Sequence, residues 1–331
     1  SLLVDAPQSF GDYRPQNFDP TFNGPVTVAD ALALSLNVPA VDLLDRVGPT
    51  RFASVMLTGG VWLRLPAGAE PNLSVILGGG GTTLEELVGA YRALARGGIS
   101  GRARLRPEQP RVESRMMSAG AAWIVRDILE GGGHPDRPFV EGGGTAPLAW
   151  KTGTSFGFRD AWAIGGTARF TVGVWVGRPD GTPLPGQYGA ITALPLLFEV
   201  IDGLPRDPRV GQRPPMPASV EKREVCWPLG LPPDPGAPAL CHRRREAWTL
   251  AGQLPPTLPE REARTWGAGR LAFDVHAGSG QRLSADCRGN PPRRRLEIAR
   301  WPSLAAPWLP ALERRASAIP PLSPDCAPDA L

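Results

Sequence analysis

The chain has 331 residues, 42% apolar and 21% charged, ordinary for a globular protein and long enough for two domains with their own cores. Its formal charge of +4 comes almost wholly from arginine, since lysine stands at Lys151 and Lys222 alone. The runs Arg243–Arg245 and Arg293–Arg295 are followed by Glu246 and Glu297, with no recognition helix or aromatic platform, which makes them solvated surface and excludes nucleic acid.

No apolar stretch approaches the ~20 residues of a membrane span. A signal-peptide pattern and an initiating methionine are both missing, so Ser1 is expected to be internal to a longer protein. The first twenty-five residues read as irregular and extended. Thr27–Leu36 is a short helix with Thr27 as candidate cap, and Pro39 ends it because a residue before proline is pushed out of helical geometry. A second helix runs from Pro39 to Val47, and Pro49 opens a third through Leu57.

The glycines 78–81 precede Thr82-Thr83-Leu84-Glu85, a capping box that starts a helix with Leu84, Leu87, Val88, Tyr91 and Leu94 on one face. These glycines are a tight connection, because no lysine completes a phosphate loop. Ser118–Glu130 is a further helix. The period then shortens. Residues 148–155, 159–165 and 169–177 are rich in Trp, Ile, Phe and Val and read as three strands of an antiparallel meander, closed by a helix over Tyr188–Ile201. Helices followed by strands argue an α+β domain at 1–204.

After Gly203 prolines crowd the text, and 205–331 is expected to be a proline-rich extension with short segments, Arg270–Val275 among them a strand. All four cysteines lie there: Cys226, Cys241, Cys287 and Cys326. No C-x-x-C pair suggests zinc. Disulfides are expected, and with them an oxidising compartment, although four cysteines allow three connectivities. The sequence-local option would close loops worth ~3 to 4 kcal/mol each. His134, His242 and His276 are isolated, without metal-ligand or triad spacing, and no metal or cofactor is expected.

Two short motifs carry the chemistry. Ser35-Leu36-Asn37 lies at a helix end, and Lys151-Thr152-Gly153-Thr154-Ser155 lies on the first meander strand. Serine transpeptidases and β-lactamases use S-x-x-K, S-x-N and K-T-G in that chain order. The likeness extends through Asn17-Phe18, Gly24-Pro25-Val26-Thr27, Ala31-Leu32, Ser35 to Val41, Arg159-Asp160-Ala161-Trp162 and Gly189 to Pro195. These residues resemble the transpeptidase domain of bifunctional, class A penicillin-binding proteins. Val225-Cys226-Trp227-Pro228 opens a region similar to the one that follows the transpeptidase in the 1C subtype. The resemblance covers nearly the whole chain.

It implies a penicillin-binding, serine β-lactamase-like fold and a peptidoglycan D,D-transpeptidase of the periplasmic face of the inner membrane. The partners would be stem peptides and β-lactams, with a membrane anchor and a glycosyltransferase domain outside this chain. By the same resemblance, Ser35, Asn37 and Lys151 are catalytic and Thr152, Gly153, Thr154 and Ser155 hold substrate. Acyl transfer also needs a nucleophilic serine. Lys151 has Leu148 three residues before it, and Ser219-Val220-Glu221-Lys222 follows both motifs in a proline-rich stretch, so neither lysine supplies the S-x-x-K. That serine is expected before Ser1, and the chain alone is expected to form no acyl-enzyme. The rivals are a non-catalytic wall-binding module and a β-lactamase or D,D-carboxypeptidase.

Overall fold

The computed structural model describes residues 1–131, 147–205, 214–254, 257 and 269–326. In chain order its elements begin with β1 (Leu2–Asp5), β2 (Gly24–Thr27), α1 (Val28–Ala33), α2 (Asn37–Val47), α3 (Pro49–Thr58) and α4 (Leu84–Tyr91). Next come β3 (Ile99–Gly101), β4 (Glu113–Arg115), α5 (Ala119–Gly131), β5 (Ala149–Thr154), β6 (Asp160–Gly166), β7 (Thr171–Gly177) and α6 (Gly189–Gly203). The chain continues through β8 (Val220–Pro228), β9 (Cys241–Leu250), β10 (Arg270–His276), β11 (Arg293–Ala299) and α7 (Ala311–Ala316). The fold is α+β. Two compact units form, one of Pro7–Pro20 with Ala29–Val220, the other of Ser1–Ala6, Thr21–Val28 and Glu221–Leu331. The sequence divides at 204/205; the chain's own contacts divide it at 220/221 and assign two early segments to the later unit.

The first unit is organised by the meander β5-β6-β7, antiparallel throughout, with β5 at one edge. Alternation along β5 sends Trp150, Thr152 and Thr154 to one face and Ala149, Lys151 and Gly153 to the other. On the first face, Ala193, Leu194 and Leu197 of α6 pack on Ala161, Ala163 and Val174. On the opposite face, Ala149 packs with Leu94 and with Leu129 of α5. There α4 comes so near β7 that a Cβ on Gly173 would lie 2.5 Å from Val88. The strand faces are small (Ala, Gly, Val) because helices approach from both sides.

Helix α2 begins at Asn37, two residues before the expected start. Asn17 explains the difference: its Oδ1 accepts from the N–H of Asn37 (2.9 Å) and of Val38 (3.4 Å), satisfying the orphan donors of the first turn. Pro39 is thereby third in the helix, where its missing N–H costs no bond. The capping box before α4 forms one residue later than expected, with Thr83 as cap and Glu86 as its reciprocal partner. α1 is shorter than 27–36, and it ends at Ala33.

In the second unit, β1 pairs with β2 antiparallel, so part of the first twenty-five residues is strand where irregular chain was expected. Asp5 is fully buried and its Oδ2 accepts from the backbone N–H (2.9 Å) and side-chain amide (2.8 Å) of Asn23, which fixes the return of the chain. The unit's core gathers Leu2, Trp227, Trp301, Ala305 and Leu309. β8 pairs with β9 and β10 with β11, more sheet than the single strand expected at 270–275. The disulfides are Cys226–Cys241 and Cys287–Cys326, spanning 15 and 39 residues.

Candidate functional site

The site is built in the first unit, where α1 runs into α2 and faces the edge strand β5. Between the helices Ser35 adopts φ +58°, a left-handed conformation that L residues with a Cβ rarely take. Backbone bonds hold it there: Leu34 N–H donates to Asp30 O (2.8 Å) and Leu36 N–H to Ala31 O (2.9 Å). The exposed Ser35 side chain then meets Lys151, 116 residues away in sequence. Lys151 Nζ donates to Ser35 Oγ at 2.6 Å and to Thr152 O at 3.0 Å.

Lys151 is half-buried, and burial pulls its pKa from 10.5 down to about 8. Among the described residues no carboxylate pairs with it. It is therefore a cation in a partly dry place with no counter-charge among the described residues, an attraction for an anionic ligand and an ammonium that can exchange a proton near neutral pH. Ser35 Oγ accepts from the lysine and keeps its own O–H to donate.

Asn37 opens α2, and its Nδ2 donates to Gln16 O at 2.8 Å. With that amide hydrogen committed, Oδ1 is left as the acceptor the residue can offer. Asn17, quoted in the resemblance without a role, supports both site residues by capping the helix that follows Ser35.

The remaining candidates lie along β5. Thr152 is half-buried, and its carbonyl is held by Lys151. Gly153 is exposed, with Trp162 opposite it in register; the missing side chain leaves the strand edge open to an added extended peptide. Thr154 Oγ1 accepts from Gly189 N–H at 3.1 Å, which leaves its hydroxyl proton to donate. Ser155 stands apart. Its Oγ donates to Asp160 Oδ2 (2.7 Å) and accepts from Asp160 N–H (2.9 Å), while Trp175 Nε1 donates to Asp160 Oδ1 (2.8 Å). These bonds fasten the β5–β6 turn, and Ser155 spends its hydroxyl inside them.

Asn17, Asp160 and Gly189 enter the sequence reading only as residues of the family resemblance, with no role assigned, because none of them has a local signal. A Cβ on Gly189 would lie 2.6 Å from both Gly153 O and Trp162 O; only glycine lets α6 seat its first turn against the strand. Phe18, Phe158 and Tyr188 form a further aromatic group in this unit, with Phe18 5.1 Å from Tyr188 and 6.2 Å from Phe158 between ring centroids.

Other sequence candidates have structural partners. Lys222 lies on β8, pairs with Glu246 at 2.6 Å and sits over the Trp248 ring. Three residues along extended chain do not stack as they would on a helix, so Ser219 and Lys222 form no S-x-x-K pair. His242 Nδ1 accepts from Trp301 Nε1 (2.9 Å), and His276 Nδ1 accepts from Gly278 N–H and Ser279 N–H in a turn. His134 lies outside the described residues.

Comparison with known proteins gives a consistent picture. Residues 219–249 match the penicillin-binding protein 1C linker domain and residues 264–317 its second linker domain. Penicillin-binding protein 1C of Escherichia coli (strain K12) is 47% identical over 342 residues, covering 99% of this chain and 42% of the relative. Penicillin-binding protein 1F of Bacillus subtilis (strain 168) is 30% identical over 54% of this chain and 27% of its own length. The chain thus spans less than half the length of these relatives. Among solved structures, penicillin-binding protein 1A from Haemophilus influenzae superposes with a TM-score of 0.62 at 19% identity, over 77% of this chain and 45% of the other. At that identity the likeness speaks for the fold.

Proposed function

Because the chain belongs to the penicillin-binding protein 1C family, we propose that it forms the substrate-holding side of a peptidoglycan D,D-transpeptidase cleft. The parent protein would cross-link stem peptides at the periplasmic face of the bacterial inner membrane, through a serine acyl-enzyme that β-lactams trap. Its anchor, a peptidoglycan glycosyltransferase domain and the nucleophilic serine would come from chain outside these 331 residues.

In this reading a stem peptide lies antiparallel to β5 as an added edge strand, opposite exposed Gly153. Lys151 and the hydroxyls of Thr152 and Thr154 hold its terminal carboxylate. The backbone N–H of Thr154 is half of an oxyanion hole, and the nucleophile's own N–H is the other half. The serine attacks the D-alanyl-D-alanine carbonyl and gives up its hydroxyl proton, the peptide C–N bond breaks, and Ser35 passes its proton to the departing amine, is reprotonated by Lys151, and Lys151 takes up the proton that the nucleophile released. Asn37 Oδ1 accepts from a substrate backbone N–H.

The observation that carries this reading is the 2.6 Å bond from Lys151 Nζ to Ser35 Oγ, which joins the two motifs across 116 residues. The test is acylation of the intact parent by a fluorescent penicillin, followed on a denaturing gel. Lys151→Ala is expected to slow acylation by roughly 10² to 10³, and acylation at the wild-type rate would overturn the assignment. A parent that binds peptidoglycan sacculi but is never acylated would be a wall-binding module. Rapid turnover of penicillin would indicate a β-lactamase.

A further inference from the structure

The β3–β4 hairpin and the chain after α4 line an open, solvent-facing cavity of about 590 Å³ that shares no residue with the Ser35–Lys151 cleft. Six arginines line it: Arg92, Arg96, Arg102, Arg104, Arg106 and Arg111. The one carboxylate on its wall is Glu113, whose Oε1 accepts from Arg92 (2.5 Å) and from Arg96 (2.6 Å). Two guanidiniums thus share a single carboxylate oxygen. Arg104 acts as a brace, donating to Pro107 O (2.9 Å) and Gln109 O (3.1 Å), while Gln109 Oε1 accepts from Leu105 N–H and Arg106 N–H. These bonds give the loop a fixed shape.

Arg102 comes no nearer than 3.9 Å to Glu85, and Arg106 and Arg111 form no ion pair among the described residues. Like charges gathered in a concave site repel one another and concentrate anions from solution. Leu105, 93% exposed, and Val112, 54% exposed, stand among these guanidiniums. A bare phosphate would engage the arginines and leave both apolar side chains in water. A peptide whose carboxylates are separated by small apolar residues would cover both. We propose that this cavity binds such an acidic peptide and clamps its carboxylates as Arg92 and Arg96 clamp Glu113. The proposal goes beyond the transpeptidase reading and does not depend on it.

The test is isothermal titration of the full 331-residue chain in low salt with the hexapeptide (Ala-Glu)₃, its amide counterpart (Ala-Gln)₃ and inorganic pyrophosphate. No acylation is involved, so failure of the cleft assignment leaves the result intact. Saturable one-to-one binding of (Ala-Glu)₃ is expected, with none of (Ala-Gln)₃. The double variant Arg106→Gln/Arg111→Gln, which breaks no side-chain bond among the described residues, should weaken binding by roughly tenfold or more. Absence of (Ala-Glu)₃ binding, or wild-type affinity in that variant, would overturn the proposal. Tighter binding of pyrophosphate than of the peptide would overturn the proposal in favour of a simple phosphate ligand, and unchanged peptide affinity in Leu105→Ser would overturn the apolar contact on which the choice of a peptide rests.

Discussion

Replacing Lys151 by methionine should remove a gain in stability with rising pH that the wild type shows. Burial lowers the lysine to about 8, against 10.5 for an exposed one. Below pH 8 the folded and unfolded chains both carry the proton, and the fold bears the full cost of a partly desolvated cation. Between pH 8 and 10.5 the unfolded chain still holds a proton that the folded one has released, so wild-type stability rises with pH. At roughly 1.4 kcal/mol per pH unit, the rise from pH 7 to pH 10 is about 2 kcal/mol once solvent screening is allowed for. The bonds to Ser35 Oγ and Thr152 O are stronger from the ammonium than from the amine, so they offset part of the desolvation. The assay is urea unfolding at both pH values, read by hydrogen–deuterium exchange of peptides from β5 and β6. Wild type should gain about 2 kcal/mol on Lys151→Met between the two conditions. Parallel stability curves, agreeing within about 0.5 kcal/mol, would show that Lys151 is not desolvated and refute the reasoning.

Substitutions at three further places test the site and the fold around it. Ser35→Gly should be more stable in urea than Ser35→Ala by about 1 kcal/mol, because both lack the hydroxyl and only alanine retains the cost of φ +58°. Gly189→Ala places a methyl 2.6 Å from two carbonyl oxygens and should cost about 2 to 3 kcal/mol, with faster amide exchange in β5. Arg126 and Glu130 form a buried pair at 2.6 Å on α5, so Arg126→Ala should lower stability by about 3 to 5 kcal/mol, whereas the double change Arg126→Met/Glu130→Leu should recover most of it.

What the sequence revealed was whatever its periodicity or a local cap announces. The meander was legible because its strands carry Trp, Ile and Val between glycine-marked turns, and α4 because a hydroxyl–acid pair precedes a helical apolar stripe. The box register slipped because Thr82 and Thr83 are adjacent hydroxyls and Glu85 and Glu86 adjacent acids; structure alone selects the second of each. Strands β8 and β9 escaped notice because 221–224 and 242–246 are charged runs that hide the alternation, with Val225 to Pro228 buried after them. The start of α2 depends on Asn17, twenty residues upstream, and no local pattern predicts such a partner. The meeting of Ser35 with Lys151 was reached through family resemblance, since helix and strand periods say nothing about pairs 116 residues apart.

Three features that lower stability when taken singly occur together in this cleft. Ser35 occupies a left-handed backbone conformation that glycine would hold at lower cost. Lys151 is a half-buried cation without a carboxylate partner among the described residues. Among the described residues β5 has one unpaired edge, with exposed Gly153 next to last in the strand. A fold selected for stability alone would remove each by a single change: glycine at 35, methionine at 151, a bulky or charged residue at 153. In the proposed reading each feature matches one need of an anionic extended peptide: a hydroxyl beside the lysine, a cation awaiting a counter-charge, and a backbone edge awaiting a strand. Local costs gathered at one place and matched to one ligand are what a binding cleft requires, and chance surface irregularity would scatter them.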